Sequence, residues 1–395
     1  MKFNPNEFRR DFPVLRKGII YMDSSCVSLK PEQVVNAVTD YYHNYPACGA
    51  RSSHRMAIKV TETFEDTRKT ISKFLNSKKK EEIILTNNTT YGINIVAHSY
   101  EFKKGDKVLI SDKEHNSNLI PWQELVKRKG IKLDIFRFGD VDSYSEKVED
   151  AKFVSTVHTS NLDGSSQDIK EMVKIAHDNG AKFMLDGAQG APHKEIDLKK
   201  LNVDFFACSG HKMLGPSGTG IFYGKMDELE KLSPFITGGE TVRDSTYESN
   251  EAEHIPHKFE AGLQNYAGVA GLREAILYLK KVGLKNIQNH EVSLNKYITE
   301  RISNISGLNI LGPQEAEKRS GIISFTIDGI DPHELALQLD STDNIMIRSG
   351  YHCCHSWFNS RKILGSARAS LYLYNTHEEA DKFCESIRTV LKIIK

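Results

Sequence analysis

The chain is organised around one stretch, residues 183–225, in which three short apolar runs alternate with polar turns. The first run ends in Asp186, and the second is followed closely by Lys212. Apolar runs of this length, bounded by Gly, Pro and polar residues, predict buried strands. Ligands of α/β sheets bind at the edge where parallel strands end. An acid and a lysine at that edge therefore predict a functional site.

A lysine in this position can act as a nucleophile if burial keeps its amine neutral, because a neutral amine forms a Schiff base with an aldehyde. A neighbouring acid can pair with the protonated ring nitrogen of pyridoxal 5'-phosphate (PLP), which makes the ring an electron sink. The alternative is an exposed loop lysine, as most lysines are. That alternative explains a lone lysine, but not the ordered motifs Asp-x-x-Gln, Ser-Gly-His-Lys and Gly-Pro-x-Gly-x-Gly.

These motifs resemble the PLP-binding signature of class-V aminotransferase-fold enzymes, the group that contains the cysteine desulfurases. The resemblance implies that Lys212 forms the covalent link to PLP. It also implies that Asp186 holds the pyridinium nitrogen and that Gln189 contacts the phenolic oxygen of the ring. Ser209 and His211 match family positions that bind the cofactor phosphate or its surroundings.

Three upstream segments, each after an apolar run, resemble further cofactor-binding segments of the family. Thr89 and Thr90 match a pair that binds the PLP phosphate, in a strand-turn-helix context that presents N–H groups to an anion. His115 matches a histidine that stacks over the pyridine ring, and Asn161 matches an asparagine near its phenolic oxygen. Without the resemblance, the two threonines are an ordinary helix cap pair, and His115 is the neighbour of a cap.

A second chemical motif, Arg-Ser-Gly-Tyr-His-Cys-Cys-His, spans residues 348–355 and resembles Arg-x-Gly-His-His-Cys-Ala of the SUF-type cysteine desulfurases. The resemblance implies that Cys353 is the catalytic cysteine, and a nearby Arg348 or protonated His352 favours its thiolate. Tyr351 replaces the first His of the family motif, and Cys354 replaces its Ala. Three other interpretations of Cys353 stay open: a metal ligand, a vicinal disulfide and a buried structural thiol.

Four basic residues are candidate substrate ligands. Arg368 lies in Ser-Ala-Arg-Ala-Ser and matches the family arginine that pairs with the substrate α-carboxylate. A planar guanidinium suits this role because it binds a carboxylate through two parallel hydrogen bonds. Arg348 is a second candidate, and the short interval from Cys353 to Arg368 fits the compact cysteine loop of the SUF-type branch. Arg51 and His54 match an active-site Arg and His of the family, with a solvated loop as the equal alternative.

Composition and charge narrow the class of protein. The 395 residues suggest two domains. With 53 Lys+Arg and 52 Asp+Glu, the net charge of +1 indicates neither direct nucleic-acid binding nor an anionic membrane as the main partner. No apolar run approaches the ~20 residues of a membrane span, and we expect no export signal at the N-terminus. The six cysteines are scattered, which favours free thiols in the cytoplasm.

The repeated strand-helix-strand spacing predicts an α/β fold with a mainly parallel sheet and helices on both faces. The resemblance implies PLP-dependent transferase fold type I, with a sheet of the seven-stranded type. After about residue 266, long helical runs and short strands predict a smaller α+β domain. We expect a large PLP-binding domain at 20–262 and a small domain formed by 1–19 and 263–395. Residues 241–257 are polar and predict a mobile loop.

The resemblance covers nearly the whole chain and implies a PLP-dependent cysteine desulfurase, a sulfurtransferase that acts as a homodimer. Such an enzyme converts L-cysteine to L-alanine and leaves a persulfide on Cys353. The sulfur then passes to an acceptor or scaffold protein, for iron–sulfur cluster assembly or tRNA thiolation. We expect no metal site.

Two other functions stay open. A selenocysteine lyase or another C–S lyase keeps PLP but does not need Cys353. Tyr351 and Leu263 leave room for it, since Leu263 replaces a family Thr that helps to bind the phosphate of the partner subunit. A non-catalytic sulfur carrier or scaffold is the third interpretation, and the intact Lys212 and Asp186 argue against it. No Gly-x-Gly-x-x-Gly motif follows the first predicted strand, which argues against a nicotinamide dehydrogenase.

Overall fold

The computed structural model of the protein describes residues 3–394. The strands within this range are short, and they are β1 (Ile20–Tyr21), β2 (Ile83–Thr86), β3 (Lys107–Ser111), β4 (Lys132–Phe136), β5 (Ala151–Val157), β6 (Lys182–Asp186), β7 (Phe205–Ser209), β8 (Gly220–Gly224), β9 (Val242–Ser245), β10 (Asn250–Ala252), β11 (Leu308–Ile310), β12 (Ile322–Ile327), β13 (Ile345–Met346), β14 (Arg348–Gly350) and β15 (Ser366–Ser370).

The helices of the same range vary from one turn to five. They are α1 (Pro5–Arg9), α2 (Glu32–Asn44), α3 (Arg55–Phe74), α4 (Thr89–Ser99), α5 (Ile120–Lys129), α6 (Val141–Val148), α7 (Ile169–Asp178), α8 (Leu198–Leu201), α9 (Met226–Lys231), α10 (Tyr266–Val282), α11 (Leu284–Ile302), α12 (Pro332–Asp343), α13 (His355–Arg361) and α14 (His377–Ile394).

Seven strands form the central sheet, in the order β2-β8-β7-β6-β5-β3-β4. Six of the seven strands run in the same direction, and β8 runs antiparallel to them. Every residue of β2, β7 and β8 is buried, because apolar clusters from helices cover both faces of the sheet. Strands buried on both faces appear in a sequence as continuous apolar runs. The predicted α/β fold with a mainly parallel seven-stranded sheet is confirmed.

The topology brings distant polar residues to one edge of this sheet. The neighbouring parallel strands β5, β6 and β7 end at Val157, Asp186 and Ser209. Strand β2 also ends there, since it runs antiparallel to β8, which runs antiparallel to β7. Helix α4 therefore begins at this edge. This is the position at which open α/β sheets bind ligands.

The C-terminal part contains a second, antiparallel sheet in the order β11-β12-β15-β14. Its apolar face packs in one cluster with residues of α11, α12 and α14. Strand β1 pairs with β13, and α10 buries its apolar side in the cluster that covers the large sheet. Both contacts cross the expected domain bounds, and the division into 20–262 and 1–19 with 263–395 stays a prediction.

The segment predicted as a mobile loop contains a β-hairpin, so the loop assignment was wrong, and its mobility stays a prediction. Strands β9 and β10 pair antiparallel within residues 241–257. Their side chains are exposed at nearly every position. A strand pair without a buried face has no alternation of apolar and polar residues, which is the signal on which a strand prediction depends.

Gly164 provides a test of how the two sheets are fitted together. Its φ is +74°, and a Cβ at this position would overlap the backbone carbonyl of Arg319. Gly180 has a similar φ of +76° but open space around it. We expect Gly180→Ala to cost about 1–2 kcal/mol for the left-handed backbone. Gly164→Ala should cost at least about 1–3 kcal/mol more, for the overlap. Equal shifts of the two denaturant midpoints would contradict this packing.

Candidate active site

A cavity of about 240 Å³ lies at the carboxyl edge of the large sheet. The ends of β5, β6 and β7, the start of α4 and the loop after β14 contribute to its wall. The structure brings most of the predicted site residues together here: Thr89, Thr90, His115, Asn161, Asp186, Gln189, Ser209, His211, Lys212, Arg348, Cys353 and Arg368.

Lys212 stands in this cavity at the end of the short 3-10 turn Gly210–Lys212, directly after β7. Burial lowers the pKa of its amine. The Asp186 carboxylate opposes that shift, and the Arg368 cation adds to it. A lysine with a lowered pKa holds a larger fraction of neutral amine, the form that reacts with an aldehyde.

Asp186 is the last residue of β6 and is buried at the cavity wall. Its Oδ1 accepts a hydrogen bond of 2.8 Å from the backbone N–H of Ala188. Burial raises the pKa of Asp186, while that hydrogen bond and the Lys212 cation oppose the rise. A further cation in the cavity would also favour the carboxylate form. The group is therefore suited to hold a protonated ring nitrogen.

The start of α4 forms an anion cradle on the opposite wall. The backbone N–H of Thr89 donates to Ser209 Oγ at 2.9 Å, and the two hydroxyls lie 2.6 Å apart. The hydroxyls of Thr90 and Ser117 form a second pair at 2.7 Å. Burial and the neighbouring Lys212 lower the pKa of His211 to about 4, so its ring is neutral. The positive end of a helix and four hydroxyl groups suit a phosphate.

His115 lies beside the cavity with its tautomer fixed. Its Nδ1 accepts a hydrogen bond of 3.0 Å from the backbone N–H of Ser117, so the neutral ring carries its proton on Nε2. Burial lowers the pKa of His115 to about 3, and the Lys212 and Arg368 cations add to this shift. The ring is therefore an uncharged aromatic face. Its stacking over a pyridine ring stays a prediction.

Unpaired buried atoms in the cavity wall indicate a polar ligand. Gln189 Nε2 donates to the carbonyl of Ser25 at 2.7 Å, and its Oε1 has no partner within residues 3–394. Arg368 Nε is also unpaired there. Buried polar groups without partners are rare and costly in folded proteins. With the cradle, the acid and the lysine, they match a flat, polar, phosphate-bearing molecule such as PLP.

Two arginines face each other on the small-domain side of the cavity. Arg348 and Arg368 are paired residues of the antiparallel strands β14 and β15. Arg368 is buried and donates to the carbonyl of Asn161 at 2.8 Å and to Asp23 Oδ1 at 3.2 Å. Asp23 is one acid beside two arginines, so this part of the wall keeps a net positive charge. An incoming carboxylate is the complementary group.

Cys353 lies on a loop with an unusual backbone. The φ angles of His352 and Cys353 are +48° and +59°, which few residues other than glycine adopt. Asn116 N–H donates to the Cys353 carbonyl at 2.8 Å, and Asn161 Nδ2 donates to the His352 carbonyl at 2.7 Å. These contacts hold a strained turn that presents the Cys353 thiol, partly exposed, to the cavity.

The neighbouring Cys354 has a structural role. It is buried in a small apolar cluster with Leu162, Trp357 and Phe358. Burial raises the pKa of its thiol to about 12, and the thiol donates to Asn161 Oδ1 at 3.4 Å. A buried neutral thiol is unreactive. Cys353 is the cysteine of the pair whose partly exposed side chain lines the cavity, which argues against a buried structural thiol at that position, and its catalytic role stays a prediction.

Arg51 and His54 are not brought to this cavity within one chain. Arg51 donates to the carbonyl of Val242 at 3.2 Å and lies 3.5 Å from Glu240, in the wall of a different cavity. His54 caps α3, where its Nδ1 accepts from the N–H of Ala57. Contacts with the hairpin, which the sequence did not reveal, place Arg51 there. For the chain alone, the expectation that these two residues line the substrate site is not met.

Several cavity residues were not predicted as site residues. Ser25, Cys26 and Ser117 line the cavity, and Asp23 holds Arg368. The family resemblance implies a small-residue loop at 23–28 that approaches the substrate, but it assigns no role to Ser25 or Cys26. His352, expected from the sequence as a protonated neighbour of Cys353, also lines the cavity, but burial lowers its pKa to about 2, so its ring is neutral and the expectation of a protonated His352 was wrong. The part of the chain described here has no group of three or more His, Cys, Asp or Glu side chains that could hold a metal ion. No helix in it is long and apolar enough to span a membrane.

Comparisons with known proteins identify the family of the chain. The aminotransferase class-V family matches residues 20–383. A probable cysteine desulfurase of Halalkalibacterium halodurans is 39% identical, over 97% of each chain. A solved apo structure of cysteine desulfurase from Thermococcus onnurineus superposes with a TM-score of 0.95 at 36% identity and covers 99% of both chains. The cysteine desulfurase CsdA of Escherichia coli superposes with a TM-score of 0.93 at 30% identity, over the full length of both chains.

The chain therefore belongs to the aminotransferase class-V family of PLP-dependent enzymes. Within that family it groups with the cysteine desulfurases. The predicted fold type, cofactor and class of enzyme are confirmed.

Proposed function

We propose that this enzyme converts L-cysteine to L-alanine and transfers the sulfur first to its own Cys353 and then to an acceptor protein. One observation supports this most directly. A reactive lysine, a buried arginine with an unpaired N–H and a partly exposed cysteine thiol line the same small cavity. Their chemistries match the three parts of the substrate: amino group, carboxylate and sulfur.

The residues that would hold PLP follow from the cavity wall. Thr89, Thr90 and Ser209 would bind its phosphate, Asp186 its ring nitrogen, and Lys212 its aldehyde carbon. Bound there, PLP supplies an electron sink for the pair of electrons that remains when a proton leaves the substrate carbon. The carboxylate of Asp186, kept away from water by burial, holds the ring nitrogen protonated.

Lys212 then moves protons. With PLP and substrate bound, the amine of Lys212 would stand beside the substrate Cα, since Lys212 lines the same cavity. Its lowered pKa favours the neutral form, which can remove the Cα proton and later return a proton to carbon. A fixed base in a closed cavity is worth roughly 10²–10⁴-fold in rate.

Cys353 acts as nucleophile toward the substrate sulfur. Its thiolate forms a new S–S bond with that sulfur while the substrate C–S bond breaks, and the pair of electrons of that bond stays with the substrate carbon. A proton then completes L-alanine. Arg348 and Arg368 line the same cavity as the Cys353 thiol. The product on the enzyme is a Cys353 persulfide.

Arg368 is proposed to bind the substrate carboxylate. Arg368→Gln leaves the negative charge of the substrate carboxylate unpaired in a buried site, which costs about 2–5 kcal/mol. We expect kcat/KM for L-cysteine to fall roughly 30- to 4,000-fold. Lys should restore little, because it lacks the two parallel N–H donors. Arg361→Gln, which removes an exposed arginine held by Asp112, is the matched control, and an equal loss in that variant would contradict the assignment.

Asn161 is proposed to position the cysteine loop. Its amide bonds both to the His352 carbonyl and to the Cys354 thiol. Asn161→Ala leaves a buried carbonyl unpaired, at about 1–3 kcal/mol, and we expect alanine formation to slow at least about tenfold. Asn295→Ala removes a similar buried pair of bonds far from the cavity. It should lower the denaturation midpoint without slowing catalysis; similar rates for both variants would refute the positioning role.

A cytoplasmic homodimer and a sulfur-accepting partner or scaffold protein complete the proposal. Arg51 and His54 lie outside the Lys212 cavity of their own chain, so a role for them at a substrate requires a second copy. Leu263, in the segment that resembles a cross-subunit phosphate site, is 72% exposed in the single chain. In a homodimer, Arg51, His54 and Leu263 could contact the active site of the second copy.

The reaction products test the proposed function. The PLP-loaded protein, given L-cysteine and a dithiol reductant, should form alanine and sulfide in equal amounts. Without a reductant, the sulfur should stay bound to protein as sulfane sulfur. Pyruvate and ammonia in place of alanine would identify a C–S lyase that eliminates sulfide. Alanine from L-selenocysteine but not from L-cysteine would identify the selenocysteine lyase.

A further inference from the structure

Two cysteines, not one, line the active-site cavity. Cys26 and Cys353 both contribute to its wall, and both are partly exposed. Cys208, Cys354 and Cys384 are buried. Cys48 is partly exposed but is not part of this wall. The cavity therefore holds a thiol for which the reaction described above has no use.

The turn that carries Cys26 is fixed in place by the active site itself. The N–H of Cys26 donates to the carbonyl of Asp23 at 3.0 Å, and Asp23 Oδ1 accepts from the buried Arg368. The adjacent Ser25 accepts from Gln189 Nε2 at 2.7 Å and donates to Ser370 Oγ at 3.0 Å. The backbone on which Cys26 stands is thus fixed by contacts with residues of the cavity wall.

Cys26, like Cys353, lies near the amine of Lys212. Both Cys26 and Cys353 lie close enough to Lys212 that a thiolate at either position raises the pKa of the lysine amine. Thiolates attack S–S bonds, and such exchange needs no oxidant or reductant.

We propose that Cys26 is a second sulfur-accepting thiol, which takes the sulfane sulfur from the Cys353 persulfide. The inference rests on the proposed function, which supplies that persulfide. The Cys26 thiolate attacks the terminal sulfur, a Cys26 Sγ–S bond forms, and the bond from that sulfur to Cys353 Sγ breaks. Cys353 leaves as a thiolate and takes the proton that Cys26 gave up, directly or through Lys212. Atoms, charge and electrons balance.

The transfer frees Cys353 while the sulfur stays in the cavity. A second L-cysteine can then react before an acceptor protein arrives. Each protomer would store two sulfur atoms, one on each thiol. In the absence of a reductant, the wild type should therefore form up to two alanines per protomer in its first burst. Cys26→Ala should stop at one, with the sulfur on Cys353.

The experiment is a burst without reductant, with a small molar excess of L-cysteine over PLP-loaded protein. Alanine is counted per protomer, the thiols are alkylated, and the cysteine peptides are weighed by mass spectrometry. The proteins are the wild type, Cys26→Ala, Cys353→Ala and Cys48→Ala as the matched control, with visible absorbance of bound PLP to check folding. We expect one extra sulfur on the Cys26 peptide of the wild type and of Cys48→Ala, and none in Cys353→Ala.

Each other outcome is decisive. Sulfane sulfur on Cys353 alone in the wild type, with the same burst in Cys26→Ala, overturns the transfer and leaves the proposed function intact. Sulfur on Cys26 in the Cys353→Ala protein overturns the transfer, because Cys26 then takes sulfur from the substrate directly. Absence of alanine from the wild type refutes the proposed function, and the inference with it.

Discussion

A Lys212→Ala protein is expected to form no alanine from L-cysteine above background and to hold PLP without a covalent bond. The amine of Lys212 is the one group in the described cavity wall that can both bond to an aldehyde and carry a proton to and from Cα. Loss of the proton transfer alone costs roughly 10²–10⁴-fold in rate. Loss of pre-positioned cofactor adds to this, so the variant should be the least active of all those considered.

Borohydride reduction and peptide mapping check this result. In the wild type, reduction should fix PLP to the peptide that contains Lys212, and in Lys212→Ala to none. Lys194→Ala is the matched control, because burial also lowers the pKa of Lys194, although it does not line the cavity. It should keep both the label and the activity. A label on another lysine of the wild type would show that the cofactor site is elsewhere.

Cys353→Ala is expected to keep bound PLP and to lose alanine formation from L-cysteine, by at least about 100-fold. The variant lacks the nucleophile that takes the sulfur while its bonding electrons stay on the substrate carbon. Cys354 cannot take over, since burial raises the pKa of its thiol to about 12 and its side chain is enclosed in an apolar cluster.

Cys354→Ala and Cys48→Ala separate this effect from a general loss of thiols. Cys354→Ala should slow the enzyme far less than Cys353→Ala, and Cys48→Ala should leave the rate unchanged. Undiminished turnover of L-cysteine by Cys353→Ala would transfer the activity to a C–S lyase, for which Lys212 and PLP suffice. Steady-state alanine formation, normalised to the absorbance of bound PLP, distinguishes these results.

The large sheet was predictable because its strands are buried on both faces. Such strands leave continuous apolar runs in the sequence, and the residues that follow them must meet at one edge. The sequence alone therefore assigns Asp186, Ser209 and Lys212 to one site. The hairpin at 241–257 was not predictable in this way, because exposed polar strands have no apolar face to give a periodic signal.

The other differences between the sequence predictions and the structure arise from tertiary contacts. Arg51 matches a family motif locally, yet Glu240 and the hairpin hold it in another cavity. The left-handed backbone of Cys353 depends on hydrogen bonds from Asn116 and Asn161, which come from distant parts of the chain. Non-glycine residues seldom adopt such angles, and no pattern in the sequence around Cys353 indicates them.

The central claim is that substrate sulfur passes to Cys353, and one measurement tests it most directly. The PLP-loaded wild type is given L-cysteine labelled with a sulfur isotope, without reductant, and alkylated after one turnover. The account predicts alanine in solution and the labelled sulfur covalently bound to the protein, reaching it through Cys353 and absent from Cys353→Ala. Labelled sulfide free in solution from the first turnover, with every cysteine peptide unmodified, would contradict it.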